Sequence, residues 1–296
     1  MNYIEDFKGY LTVQKAVSSN TLESYMRDIN HYFEFLDKKQ VKDAVKTELQ
    51  TLEEYVELLG AEGLSQSTIT RNVASIRCLY QYFIFAGLST GNLARSIKLK
   101  KAVKKFPQIM TGTEIDLFLS QPDINTVKGC RDKAMLELLY ATGIRVSELI
   151  DLDVNDINLQ TGMIHCRCEK SDRVIPIYKK ALSSVSQYLS RVRNAISTDE
   201  SGQALFINLN GKRLTRQGFW KIVKQYTEQA NISKDITPHT LRHSFALHLL
   251  ENGAQLKDIQ EMLGHADISS TQVYAKLMQN KFKDVYTKCH PRAKMV

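Results

Sequence analysis

Residues 163–177 read Met-Ile-His-Cys-Arg-Cys-Glu-Lys-Ser-Asp-Arg-Val-Ile-Pro-Ile. Within them, residues 163–166 and 173–177 are short, largely apolar runs without a helical period, which is typical of the strands of a hairpin. The charged and polar residues 169–172 between them are typical of a turn. The stretch therefore predicts two short strands around a turn, so the fold contains a small antiparallel sheet as well as helices.

Helical periodicity dominates on both sides of this hairpin. Asn20 and Glu23 resemble a capping box, and apolar residues then recur at steps of three and four as far as Leu36. A second helix is predicted to begin near Ser65. Further helical segments cover residues 129–140, 240–250 and 255–263, with Gly143 and Gly264 at the positions of C-terminal caps. The chain is therefore predicted to be mainly α-helical.

A basic stretch separates two helical regions. Gly87 and the polar residues after it interrupt the helical pattern. Residues 95–105 then read R-S-I-K-L-K-K-A-V-K-K, a run of basic residues without an acid. We predict an N-terminal helical domain over residues 1–94, a basic linker over residues 95–108 and a second domain over residues 109–296.

The composition points to a globular protein with an anionic partner. The chain has 296 residues, 43% of them hydrophobic, and a net charge of +8, which favours a polyanion such as nucleic acid. No apolar run approaches the length of a membrane span, and the acidic start does not resemble a signal peptide. We therefore expect a cytoplasmic protein without a membrane partner, whose five scattered cysteines are reduced thiols.

Two basic groups are candidate DNA contacts. Arg71 belongs to a polar face of the second predicted helix, and Arg77 lies at its flank. In the linker, Lys98, Lys100 and Lys101 could lie along a phosphate backbone and neutralise its charge. The alternative in both places is an ordinary solvated surface.

Five residues have side chains that suit covalent attack on a phosphodiester: Arg145, His239, Arg242, His265 and Tyr274. Arginine offers a planar fork of donors that matches phosphate oxygens, histidine moves protons near neutral pH, and tyrosine can form a covalent phosphoryl intermediate. A metal-binding helix is the alternative for the histidines, since a further histidine follows His239 after four residues. The H-E-x-x-H pattern is absent, so we expect neither a metal nor another cofactor.

Four segments carry a resemblance to a known family: A-T-G-I-R-V-S-E-L at residues 141–149, T-P-H-T-L-R-H-S-F at residues 237–245, Leu-Gly-His at residues 263–265, and Tyr274. The chain resembles the tyrosine recombinases, also called the phage integrase family. The tail at residues 285–293 resembles the Xer branch of that family.

The resemblance implies a role for each candidate. Tyr274 would attack a DNA phosphate and become a 3′-phosphotyrosine, while Arg145 and Arg242 would bind the non-bridging oxygens. His239 would act as general base or acid, and His265 would donate a hydrogen bond to the scissile phosphate.

A lysine in the turn of the hairpin completes the set. Lys170 would be the general acid for the departing 5′-hydroxyl, with Arg173, at the start of the second strand, as the rival. Glu148 would be a structural support, and an ion pair with Glu148 is the alternative role for Arg145.

The implied fold is mainly α with two domains, an N-terminal helical bundle that forms the core-binding domain and a C-terminal α+β catalytic domain. The implied activity is site-specific recombination, with Xer-type chromosome dimer resolution preferred over integration or excision of a mobile element. A catalytically inactive DNA-binding regulator is the alternative from another class. The implied partners are a double-stranded recombination site and either identical subunits or a paralogous recombinase in a tetramer, to which the C-terminal tail contributes by docking.

Overall fold

The structure, a computed structural model, describes residues 3–99, 107–167, 172–264, 271–275 and 277–278. The chain divides into two compact units, Met1–Lys104 and Lys105–Val296. The division lies inside the segment predicted as a linker, of which residues 100–106 are outside the described residues. No helix among the described residues is both long enough and apolar enough to cross a bilayer.

The first unit is helical wherever it is described as regular structure. Its α-helices are α1 (Tyr3–Gly9), α2 (Ser19–Lys38), α3 (Leu49–Ala61) and α4 (Gln66–Phe85), with a π-helical turn at Tyr10–Gln14 and 3₁₀ turns at Ala44–Lys46 and Leu93–Ser96. The helices enclose an aromatic core in which Tyr32, Tyr55 and Tyr80 are almost fully buried. The buried hydroxyls remain hydrogen-bonded, as when Tyr80 donates to the Ala44 carbonyl at 3.2 Å.

The two predicted helix starts of this unit differ in outcome. Ser65 caps α4 by accepting from the Thr68 amide at 3.2 Å, as its position predicted. The capping box expected at Asn20 is wrong, because Ser18 is the cap of α2 and accepts from the Thr21 amide. Several polar residues that can cap a helix stand together at residues 18–21, and the chain uses the first of them.

The second unit combines helices with a small sheet. Its elements are α5 (Gly112–Ser120), α6 (Val127–Thr142), α7 (Val146–Asp151), β1 (Ile157–Asn158), β2 (Met163–Cys166), β3 (Arg173–Pro176), α8 (Lys179–Gln187), α9 (Asn194–Ile196), α10 (Arg216–Gln229), α11 (Pro238–Glu251) and α12 (Leu256–Leu263). A π-helical turn, Tyr188–Arg193, joins α8 to α9, and 3₁₀ turns lie at Val154–Asp156 and Asp199–Ser201. Residues 271–275 and 277–278 are also helical.

The strands form one antiparallel sheet in the order β1-β2-β3. Ile164 of β2 lies opposite Ile175 of β3, so their side chains reach the core on the same face. The predicted hairpin is confirmed in these two strands. The strand β1 was not predicted, because two residues are too few to show a period.

Helix α6 lies at the centre of the second unit. It is buried along most of its length and packs against α5, α7, α8 and α11. It ends at Gly143, which has the left-handed backbone conformation (φ 59°) that terminates a helix. The chain therefore turns at the end of the most buried helix and delivers Arg145 as the N-cap of α7.

Candidate active site

Three arginines converge on the C-terminal end of α12. The carbonyls of residues 262–264 accept, in order, from Arg173 Nε at 2.7 Å, Arg242 Nη2 at 2.7 Å and Arg145 Nη2 at 3.1 Å. The last carbonyls of a helix have no partner within the helix and carry the negative end of its dipole. Cations therefore suit this place, and the helix end brings together side chains that are far apart in the sequence.

Glu148 holds two of these arginines. Its carboxylate accepts from Arg145 Nη1 at 3.0 Å and from Arg173 Nη1 and Nη2 at 3.0 and 2.9 Å. It also accepts from the Arg145 backbone amide at 2.7 Å, which completes the start of α7. Burial raises the pKa of Glu148, but the hydrogen bonds from Arg173 and from the Arg145 amide outweigh burial and hold this pKa below its usual range.

Arg242 is the more buried of the two predicted phosphate ligands. It is 5% exposed, and its Nη1 donates to the Gly143 carbonyl at 2.6 Å. Burial, with Arg145 nearby, lowers the pKa of Arg242 to about 10, so the guanidinium remains charged at neutral pH. Arg145 is more open, with 39% of its side chain exposed. The ion pair of Arg145 with Glu148, an alternative role for this arginine, is present together with the contact to α12.

Arg173 is not free to act in the turn of the hairpin. It is 8% exposed, and its guanidinium is bound by both oxygens of Glu148 and by the Met262 carbonyl. Because Nε, Nη1 and Nη2 are all bound within the protein, the structure does not favour Arg173 as the general acid, and its candidacy stays a prediction. Its rival Lys170 lies outside the described residues, and the role of Lys170 stays a prediction.

Helix α11 carries three of the polar side chains. Arg242 and His243 follow His239 by three and four residues, which places all three side chains along one side of the helix. His239 is exposed. His243 lies one turn further on, and its Nδ1 is 2.9 Å from the Tyr274 hydroxyl. His239 is the histidine with a predicted role as general base or acid, whereas the structure brings His243 into contact with the tyrosine.

Tyr274 is covered by the second unit. Only 1% of the residue is exposed, and it belongs to a small core with Phe245, Ile259 and Leu263. Burial raises the pKa of Tyr274, while the charge of Arg242 acts in the opposite direction. Tyr274 is therefore shielded from solvent in this structure.

His243, the hydrogen-bond partner of Tyr274, has a pKa well below its ordinary value. Burial, helped by the charges of His239 and Arg242, lowers the pKa of His243 to about 4. The imidazole is therefore neutral at neutral pH, and its Nδ1 can accept the hydrogen bond that Tyr274 donates. In the sequence, the i, i+4 spacing from His239 marks His243, but this spacing by itself indicates only a possible metal-binding helix.

The candidate DNA contacts of the first unit have partners within the protein. Arg71 pairs with the buried Asp28 and donates to the Ser24 carbonyl at 3.2 Å. Arg77 donates to the carbonyls of Ala94 and Ile97 at 3.1 and 2.9 Å and so fastens the segment after α4. These contacts leave a role in DNA binding as a prediction for both residues.

The remaining predicted residues are exposed or undescribed. Lys98 is exposed. Lys100, Lys101 and His265 lie outside the described residues. Within the part of the chain that the structure describes, no three potential metal ligands cluster, and the histidine-rich helix α11 directs His248 to the hydroxyl of Tyr140 at 2.8 Å.

The sequence of this chain matches one protein family over both units. Residues 108–281 match the phage integrase family, and residues 4–87 match the phage integrase N-terminal SAM-like domain. The chain belongs to the phage integrase family. It is thus a tyrosine recombinase, an enzyme of site-specific DNA recombination, and the predicted family and fold class are confirmed.

Two known tyrosine recombinases align in sequence with nearly the whole of this recombinase. It is 44% identical to the tyrosine recombinase XerD of Oceanobacillus iheyensis, with 98% of each chain covered. It is 41% identical to the tyrosine recombinase XerD of Halalkalibacterium halodurans, with 99% of this chain and 98% of the relative covered. These relatives confirm the expected Xer type.

Solved structures share the fold of the recombinase. A XerH site-specific recombinase bound to a palindromic difH substrate matches with a TM-score of 0.75 and 20% identity, over 90% of this chain and 79% of that one. A Tn1549 transposon integrase in complex with a circular intermediate DNA matches with a TM-score of 0.74 and 19% identity, over 93% and 95% of the two chains. At sequence identities of 20% and 19%, this similarity shows a shared fold and no more.

Proposed function

We propose that the recombinase cleaves and rejoins DNA by transesterification at Tyr274 and that its cellular role is the resolution of chromosome dimers. The observation that carries the proposal is the convergence of Arg145 and Arg242 at the end of α12, with Tyr274 held against the same helix that carries Arg242. Two arginines and a tyrosine in one place suit attack on a phosphodiester better than any other chemistry that these side chains offer.

The proposed reaction exchanges one ester bond for another. The Tyr274 oxygen attacks the scissile phosphorus, the bond to the 5′-oxygen breaks, and a 3′-phosphotyrosine remains. The phenol proton leaves through a base, and the departing 5′-oxygen receives a proton from an acid. A 5′-hydroxyl of the partner strand then attacks the phosphotyrosine and releases Tyr274. Because each step replaces one phosphoester with another, no external energy source is needed.

The arginines would stabilise the charge that develops on the non-bridging oxygens. Arg145 and Arg242 each use part of the guanidinium to bind the helix end, which fixes the orientation of the remaining donors before DNA arrives. Donors fixed in this way lose little free energy to reorganisation during the reaction. His239, His265 and Lys170 would complete the site as general base or acid, phosphate ligand and general acid for the 5′-hydroxyl.

The buried tyrosine suggests a resting arrangement. Tyr274 is neutral, covered and hydrogen-bonded to neutral His243 in this structure. We infer that cleavage follows a movement of the segment around Tyr274, which breaks this hydrogen bond and brings the hydroxyl to the phosphate.

The first unit would also bind the DNA duplex. Residues 1–94 would be the core-binding domain, residues 95–108 the basic linker and residues 109–296 the catalytic domain. Lys98, Lys100 and Lys101 would contact phosphates. Arg71 and Arg77 would also contact DNA, from the positions in which their hydrogen bonds within the protein hold them.

The partners follow from the same proposal. One structural neighbour, a XerH recombinase, is bound to a palindromic difH substrate, and another, a Tn1549 transposon integrase, is in complex with a circular intermediate DNA. We propose that this recombinase binds a double-stranded recombination site in the cytoplasm as a tetramer of identical or paralogous subunits. Chromosome resolution is preferred to transposon integration because the relatives named XerD are twice as similar in sequence as the transposon integrase.

The test is the formation of a covalent adduct on a nicked suicide substrate that carries the recombination site. We expect wild-type protein to form the adduct in EDTA and without nucleotide, and Tyr274→Phe to bind the DNA with similar affinity but form no adduct. The matched control is Tyr286→Phe, which removes a hydroxyl from the other tyrosine that follows α12 in the sequence and should react normally. An adduct on the Tyr274→Phe protein would refute the assignment, and a wild-type protein that binds the site without any adduct would favour the inactive regulator.

A further inference from the structure

The end of α12 is bound by three arginines, but only two of them are candidate ligands of the phosphate. The third, Arg173, enters from β3 and binds the Met262 carbonyl through Nε. Its two Nη atoms bind both oxygens of Glu148. Arg173 therefore connects the helix end directly to the carboxylate that holds Arg145.

The same guanidinium is packed against the glycine that ends α12. A Cβ atom added to Gly264 would lie 2.7 Å from Arg173 Nη1, and Gly264 has a φ of 61° that favours glycine. The chain after Gly264 continues to His265 and, ten residues beyond Gly264, to Tyr274. Arg173 thus contacts the point from which the segment with the proposed nucleophile departs.

We propose that Arg173 is a positioning residue that sets the end of α12 against Glu148 and thereby orients Arg145, Arg242 and the segment that leads to Tyr274. The inference rests on the proposed catalytic roles of those three residues. Its Nε, Nη1 and Nη2 each bind Glu148 or Met262, so Arg173 acts on the proposed catalytic residues through these two groups.

Arginine is required here for a geometric reason. A guanidinium can bind both oxygens of a carboxylate with one edge and direct Nε to a third acceptor, all in one plane. A lysine keeps the charge that Glu148 needs, but its single nitrogen cannot hold this bidentate geometry and the Met262 carbonyl together. Arg173→Lys should therefore preserve folding better than catalysis.

The experiment compares Arg173→Lys and Arg173→Gln with a matched control, Arg193→Gln. Arg193 is also buried and also donates to backbone carbonyls, those of Ala204 and Gly202, and these two residues do not belong to the candidate site. Single-turnover cleavage of the suicide substrate and DNA affinity are measured for each protein, with the rate expressed per folded molecule.

We expect the Arg173 variants to bind DNA within about threefold of wild type and to cleave it about tenfold to a hundredfold more slowly, as the loss of supporting hydrogen bonds behind a reactive site does elsewhere. Arg193→Gln should lose stability without a comparable loss of rate. Equal rates for Arg173→Lys, Arg173→Gln and Arg193→Gln would overturn the proposal.

A double-mutant cycle provides a second measurement. If Arg173 acts through Glu148, Arg173→Gln should slow cleavage much less in a Glu148→Gln background than in the wild type. Fully additive losses would contradict this route. Should Arg173→Gln not fold, Arg173→Lys carries both comparisons. Absence of a Tyr274 adduct in wild-type protein would instead refute the proposed function, so the two failures are distinguishable.

Discussion

The contact between Tyr274 and His243 depends on the protonation of one imidazole. The Tyr274 hydroxyl can donate a hydrogen bond to Nδ1 of His243 only while that nitrogen carries no proton. The low pKa of His243 keeps the ring neutral in the folded protein at neutral pH. In the unfolded chain the ring regains its ordinary pKa, so folding and protonation compete below that pH.

This competition predicts a pH dependence of stability. The pKa of His243 is about 4 in the folded protein and 6.5 ordinarily, so its stabilising contribution is complete above 6.5 and decreases as the pH falls towards 4. Between about pH 7 and pH 5, we expect wild type to lose roughly 2 kcal/mol more unfolding free energy than His243→Asn. Urea titrations at both pH values measure the difference. Parallel losses in the two proteins would contradict a neutral, buried His243.

At the level of elements, the junction between α6 and α7 places Arg145. Gly143 ends α6 with a left-handed conformation, and its carbonyl accepts from Arg242. A Cβ atom at this position would lie 2.2 Å from Phe245 of α11. One glycine therefore permits the turn, the approach of α11 and the contact with a proposed phosphate ligand.

We predict that Gly143→Ala lowers both stability and cleavage. The control is Gly253→Ala, since Gly253 also has a positive φ but nothing lies within 4 Å of its added Cβ. Both variants should lose about 1–2 kcal/mol to backbone strain, and Gly143→Ala should lose about 1–3 kcal/mol more to the clash. Thermal unfolding and the cleavage rate measure the two effects. Similar losses of stability in both variants would show that Phe245 can move aside without a cost in free energy.

At the level of the whole molecule, the linker is expected to contribute affinity without specificity. Neutralising Lys98, Lys100, Lys101, Lys104 and Lys105 together should flatten the plot of log affinity against log salt, by about 0.9 for each phosphate that these lysines neutralise in the wild-type complex. Binding to the recombination site and to a random duplex should weaken alike. An unchanged slope would identify the stretch as a solvated linker.

Assembly is the second property of the whole molecule that can be tested. Leu277 packs against the core around Phe245 and Tyr274, but the sequence places three further apolar residues, Phe282, Val285 and Tyr286, on a segment that is too short to bury them alone. If this tail docks on a neighbouring subunit, truncation after Gln279 should leave binding to a single site nearly intact but impair synapsis and cleavage. Gel-shift assays with one and two sites separate these steps. Normal recombination by the truncated protein would exclude docking of the tail.

The sequence alone determined the features that depend on local patterns. Short apolar runs around a polar turn predicted the hairpin of β2 and β3, and glycines marked the ends of α6 and α12. These features can be predicted from the sequence because strands, turns and caps depend on neighbouring residues. Motif spacing identified the family and nominated Arg145, Arg242 and Tyr274. The start of α2 was misplaced because several polar residues there can cap a helix.

Only the tertiary structure decided which side chains meet. Arg173, Glu148 and residues 262–264 are distant in sequence, and no local period indicates that one helix end binds three arginines. The same holds for His243, whose contact with Tyr274 depends on how α11 packs against residues 271–275. Contacts of this kind arise from the packing of whole elements, which the residues on either side of a motif do not specify.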